Sequence, residues 1–249
     1  MAKLEKRIPI ILFFIFASAF LFAQSTIKNS KTSIRFQLWY SLDSFPGLIA
    51  PETPNDYSIT TKPTSNATPF KQGTDYSISK IKELLPFILE AQLYGWEFSY
   101  TPSDNARHVA EYFEITPIQT ISINDPNISY DSPQIINEGK DFSCWITYTC
   151  TTYQTQLLQS YSAINFTKIG GKGSAPIQDE TNAIKEAFSA AAKEAVRSYY
   201  RTIFKNKPKE ITGTLYLIDA PRYYVVEGKY VADLDFFLKK GTIIQYILF

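Results

Sequence analysis

Histidine occurs once in the chain, at His108, and cysteine twice, at Cys144 and Cys150. A structural zinc site takes four Cys or His ligands and the chain has three such residues in all, so that chemistry is nearly excluded. Two cysteines also cannot make the disulfide framework of a small secreted scaffold. They are spaced as CWITYTC. On one extended strand, side chains six positions apart are about 20 Å from each other, far beyond bridging reach. A disulfide would therefore require a turn or bulge between them.

Neither sign of charge is in surplus: Lys and Arg number 25 and Asp and Glu 24. The basic runs KNKPK at 205–209 and KK at 239–240 are short. No nucleic-acid partner is expected, because a phosphate backbone calls for a concentrated basic surface. The long apolar run is confined to the N-terminus, from Ile8 to Ala23, behind Lys3, Lys6 and Arg7. That arrangement reads as a secretory signal peptide over 1–23, too short for a confident membrane span. Its removal takes away three cations and Glu5, so the formal charge of +1 becomes −1. The mature chain is expected to be periplasmic or extracellular, with no stable membrane span after signal cleavage.

Aromatic side chains, in contrast, make up 15% of residues. They can bury a large core, and the phenols of the tyrosines can also serve a wet interface or a sugar-binding face. The fold class expected is α+β, with a mainly antiparallel sheet, a long alanine-rich C-terminal helix packed on it, and additional shorter helices. Residues 24–168 form an N-terminal α+β region with a long loop at 43–77, and 169–249 form a helix followed by antiparallel strands, the two packed as one compact unit.

Within the first region, IRFQLWYSL at 34–42 reads as a strand. Ile81, Leu84, Leu85, Ile88, Leu89 and Leu93 recur at helical spacing, with Ser77 or Ser79 as cap, a kink or division at Pro86 and a stop at Gly95. WEFSY at 96–100 is a strand, and 101–115 a helix capped by Ser103 or Asp104 with Val109, Tyr112 and Phe113 as its apolar face. Two short strands around a turn at 124–127 are expected over 116–132. The segment 141–166 begins as a strong strand and turns near Thr152 or Gln156 into a second.

IGGKGSAP at 169–176 lacks phosphate-loop spacing and reads as a flexible connector, with Pro176 starting the next helix. That helix, 177–205, carries the stripe Ile184, Ala187, Phe188, Ala191, Ala195, Tyr199 and Ile203, whose alanines permit close approach to a sheet or another helix. The tail gives strands at 211–218, 223–226, 229–238 and 242–248, connected at Glu227-Gly228 and Lys240-Gly241.

Candidate chemistry is sparse. His108 has Asp104, Glu111 and Glu114 nearby, but H-x-x-E lacks the second histidine of a zinc motif, and a structural histidine is expected. Asn124, Asp125 and Asp131 lack the order of a calcium loop, and a self-bonding turn accounts for them. Asp233 and Asp235 share one strand face, whereas glycoside hydrolysis sets two carboxylates across a cleft. Lys193, Arg197 and Arg201 make either a solvated helix face or an anion-binding edge. Glycosylation sequons stand at Asn66, Asn127 and Asn165.

No catalytic, cofactor-binding or metal-ligating residue is assigned, and no cofactor is expected. The function expected is that of an exported noncatalytic structural or protein-interaction domain of the cell envelope or periplasm, with an envelope protein as partner. The alternative is a secreted hydrolase or carbohydrate-binding protein combining Trp39, Trp96 or Trp145 with two facing acids in a cleft.

Overall fold

A computed structural model describes residues 32–42, 69–163, 166–178 and 180–246. The expected signal peptide at 1–23, most of the 43–77 loop, and Asn66 and Asn165 lie outside the described residues. Two antiparallel sheets make the frame. In the smaller, β1 (Ser33–Ser41), β5 (Asp141–Thr149) and β4 (Ile128–Ile136) lie in the order β1-β5-β4. The larger joins β2 (Trp96–Thr101), β3 (Tyr112–Pro117), β6 (Thr167–Pro176), β7 (Glu210–Leu217) and β9 (Lys229–Ile244) in the order β3-β2-β7-β9-β6. The short strand β8 (Arg222–Val226) pairs with β9 alone. It lies on the side of β9 away from β6, end to end with β7.

Helix α1 (Pro69–Leu93) packs against β1 and β5 of one sheet and β7 and β3 of the other. Its second half is apolar nearly all round: Ile81, Leu84, Leu85, Ile88, Leu89, Ala91 and Leu93 are fully buried, as a central helix requires. The helix starts earlier than expected, inside the 43–77 excursion, and it runs through Pro86 as one element. Burying Ile88, Leu89 and Leu93 gains roughly 1.5–3 kcal/mol each, more than the roughly 3 kcal/mol that an interior proline costs. Gly95 ends it with φ +84°, its N–H and that of Tyr94 both reaching the Glu90 carbonyl at 2.9 Å. Glu90 itself is buried, and its carboxylate accepts the Ile121 N–H at 2.8 Å, tying the loop before β4 to α1.

Helix α3 (Glu180–Ile203) lies along β6 and β9. Its alanines meet glycines. A Cβ placed on Gly171 would sit 2.2 Å from the Ala191 carbonyl oxygen, and one on Gly173 2.1 Å from the Ala191 nitrogen. The segment 169–176 is therefore no flexible connector: its glycines let a strand lie directly against a helix backbone, and Pro176 ends β6 instead of starting α3.

Three other expectations are corrected. The 101–115 segment holds a single 3-10 turn at Asn105–Arg107 and then β3, not a helix, because Tyr112 to Pro117 find the open edge of β2. The second strand expected after Cys150 is helix α2 (Thr152–Ala163). Thr151 and Gln154 form a reciprocal capping box there: the Gln154 N–H donates to Thr151 Oγ1 at 3.3 Å, and the Thr151 N–H to Gln154 Oε1 at 2.8 Å. Lys240-Gly241 is not a turn. β9 continues through it with a bulge opposite Thr212, whose hydroxyl accepts the Thr242 N–H at 3.1 Å.

The fold is thus α+β and mainly antiparallel, with the long C-terminal helix α3 on a sheet and α2 as a shorter helix. The described residues within Ser33–Phe249 form one compact unit. Among the described residues, no helix is long and apolar enough to cross a membrane.

Candidate functional site

The acidic and basic residues singled out in the sequence go to separate places. His108 is exposed and ends the 3-10 turn in a left-handed conformation, φ 56°. Asp104 caps that turn, accepting from Ala106 N at 3.1 Å and from the Arg107 guanidinium, which holds its carboxyl below the ordinary value. Glu111 turns toward Tyr100, Lys193 and Arg197, and Glu114 accepts from the Tyr112 hydroxyl. Asp125 accepts the Asn127 N–H at 2.9 Å, a self-bonding turn. Asp233 and Asp235 sit on the outer face of β9 among cations, Arg222 lying 3.4 and 3.7 Å from them and Lys168 3.3 Å from Asp235. Cys144 and Cys150 are free and buried, and burial pushes the Cys144 thiol up to about 11. Among the described residues, no cluster of three His, Cys, Asp or Glu could hold a metal ion.

The tryptophans also separate. Trp96 is fully buried beneath Phe87 and Phe236, while Trp145 carries the Arg35 guanidinium over its ring at 4.4 Å. Trp39, on β1, lines a cleft of about 660 Å³ where the edges of the two sheets meet. β8 and β9 supply Tyr223, Tyr224, Val225 and Tyr230, Ile177 follows β6, and the β4–β5 turn contributes Ile136, Asn137, Lys140 and Asp141. The volume is in the range of small-ligand and peptide-anchor sites.

A reciprocal clasp forms the back of this cleft. The Tyr223 hydroxyl donates to the Trp39 carbonyl at 2.6 Å and accepts the Trp39 N–H at 3.2 Å. The Trp39 indole N–H donates to the Tyr223 carbonyl at 3.3 Å. The two rings stack with centroids 5.0 Å apart, and Phe188 of α3 meets Tyr223 edge-on at 5.7 Å. Burial keeps the Tyr223 phenol protonated, its titration displaced well above the ordinary range. Strain forms the facing wall. Asn137, Glu138 and Gly139 are consecutive left-handed residues, with φ 53°, 57° and 92°. Asparagine and glycine tolerate this region, but glutamate pays about 1–2 kcal/mol for it. The Asn137 amide donates to Asp141, and the Lys140 carbonyl accepts from Leu42 N at 2.7 Å, which fixes the turn against β1.

One protein-family model matches residues 22–246, and its description names no activity. A protein of Treponema pallidum (strain Nichols), described as "Uncharacterized protein", is 30% identical over 169 residues, 68% of this chain and 70% of the relative. The chain belongs to this family. No solved structure matches.

Sequence reasoning did not assemble the cleft, whose walls lie far apart in the chain. Two local signals were present. Asn-Glu-Gly at 137–139 is turn chemistry suited to positive φ, and Tyr223-Tyr224-Val225-Val226 places bulky side chains on both phases of a short strand, so that some must face outward.

Proposed function

We propose that the protein is an exported, noncatalytic interaction domain of the cell envelope, and that it holds an extended segment of an envelope protein in the aromatic cleft. One observation carries this reading. Ile177 and Tyr224 are 38% exposed and Val225 44%, gathered at the mouth of a concavity instead of scattered over the surface. Clustered apolar exposure of this kind marks interaction sites. The edge position of β8 supports an extended occupant, since a strand with one neighbour offers its remaining backbone groups to an added strand. The N-terminal pattern of cations followed by an apolar run supports export.

The test is photocrosslinking in cells from position 225 and position 137, on opposite walls, with position 186 on α3 as control. The expected result is one envelope protein captured from both walls but not from the control, and lost when Tyr224→Asp is introduced. Intact mass of the native protein should show loss of residues 1–23. Equal adducts from all three positions, or none from either wall, would refute the reading.

A further inference from the structure

The C-terminal part of α3 borders a second concavity, remote in sequence from the cleft walls. Its volume is about 80 Å³, or two to three times the roughly 30 Å³ of one water in the liquid. It can admit a single carboxylate or phosphate group. Arg197, Tyr200 and Arg201 line one side, Lys207 closes it from the segment before β7, and Tyr100 and Glu111 stand opposite.

Cations near the C-terminal end of a helix are by themselves ordinary, because the helix dipole favours them there. The polar groups beside them are not ordinary. Tyr200 is 3% exposed, and its hydroxyl, like Nε of Arg197, is buried with no hydrogen-bond partner among the described residues. Folded proteins keep few such groups, and here two belong to residues that line the same small space. Burial pushes the Tyr200 phenol up to about 12, so at neutral pH it is a donor as well as an acceptor.

The charges around the space are unevenly satisfied. Glu111 accepts from Tyr100 at 2.9 Å and lies 3.6 Å from Arg197 and 3.7 Å from Lys193. Arg197 is also paired with Glu194. Arg201 has no ion pair among the described residues. Lys207 donates to the Ser103 carbonyl at 2.6 Å and retains further N–H donors. Four cations, Lys193, Arg197, Arg201 and Lys207, against the two carboxylates of Glu111 and Glu194 leave the surroundings of the pocket positive.

We propose that this pocket is an oxyanion site, in which Arg201 and Lys207 supply charge and the Tyr200 hydroxyl and Arg197 Nε–H supply fixed donors to one phosphate or carboxylate group. The proposal is independent of the aromatic cleft. It turns the sequence's ambiguous Lys193, Arg197 and Arg201 row into a site carried mainly by Arg201 and by a tyrosine that the row did not include.

The experiment is calorimetric titration of the purified protein with inorganic phosphate and, separately, with acetate, at an ionic strength held constant with chloride. Saturable one-site binding is expected. Phosphate alone would identify a phosphoryl group, acetate alone a carboxylate, and both a general oxyanion. Tyr200→Phe should weaken binding about tenfold, on the scale of one charge-assisted hydrogen bond. Arg201→Gln combined with Lys207→Gln should abolish saturation.

Thermal unfolding separates binding from folding. Without anion, the Tyr200→Phe protein should be at least as stable as the native one, because an unpartnered buried oxygen has been removed. Anion should raise the native midpoint more than that of the variant. No saturable heat with either anion, unchanged affinity in both variants, or a lower anion-free midpoint for Tyr200→Phe would each overturn the proposal.

Discussion

Replacing Gly173 by alanine tests the contact on which the position of α3 depends. The added Cβ would lie 2.1 Å from Ala191 N and 2.4 Å from the Ala190 carbonyl carbon. Carbon atoms rest about 3.5–4.0 Å from such neighbours, so α3 must move away from β6 by about 1 Å or more. Neither clashing atom belongs to a side chain that could rotate. The retreat would loosen Ile184, Ala187, Phe188, Ala191 and Ala195, all essentially without solvent exposure. Overpacking costs about 1–3 kcal/mol, occasionally more, and a clash against backbone belongs at the upper end. A loss of about 3 kcal/mol lowers the thermal midpoint of a domain this size by roughly 6–12 °C. Gly170→Ala is the matched control in the same strand. Its Cβ would face outward and meet Asp235 Oδ1 at 2.7 Å, the far end of a side chain that can swing aside. The control should stay within about 0.5 kcal/mol of the native protein. Urea and thermal unfolding of the three proteins would decide the matter: equal midpoints for the two variants would mean that α3 and β6 do not approach as described.

Three further outcomes are expected. Tyr223→Phe removes the hydroxyl that serves both backbone groups of Trp39, should cost about 1–3 kcal/mol in unfolding, and should red-shift Trp39 fluorescence; unchanged emission and stability would dismiss the clasp. Thr151→Ala deletes one half of the α2 capping box and should cost about 1 kcal/mol, read by denaturant midpoint, and no change would mean that the box does not hold the helix start. Burial holds the Glu90 carboxyl above its ordinary 4.5, against the lowering effects of the Ile121 N–H and Lys185. The folded chain then binds that proton more tightly than the unfolded chain, so Glu90's contribution to stability is fully present below 4.5 and is lost as pH rises through the raised value. Comparing unfolding of the native protein and Glu90→Gln across that window should show this component of the slope only in the native protein.

Much of the fold was legible because local pattern and tertiary need agreed. The apolar spacing from Ile81 to Leu93 and the alternation from Phe142 to Tyr148 each describe one side chain set facing one core, and both appear as elements. The failures have a common cause. Val109, Tyr112 and Phe113 fit a helical face, but they fit a strand too once β2 offers an open edge, and that edge is a tertiary fact. Gly170, Gly171 and Gly173 resemble a linker until a helix of alanines is laid on them. The start of α2 is a different case, since T-T-Y-Q carries a capping box in the sequence itself and the β-rich composition around it concealed the signal.

The cleft was illegible for a more basic reason. β1 and β8 are both edge strands, separated by most of the chain, and nothing in either strand names the other. Two open edges that approach can pair through their backbones and merge into one sheet. Here the Tyr223 hydroxyl occupies both backbone groups of Trp39, and the Trp39 indole occupies the Tyr223 carbonyl. Side-chain donors and acceptors stand where ladder bonds would otherwise form, so at this point the edges are joined through stacked rings instead of a continuous ladder. The concavity opens beside that join, between the β4–β5 turn and the exposed end of β8. The two residues that satisfy the sheet edges are therefore also the ones that shape the concavity, and loss of either should disturb the cleft and stability together.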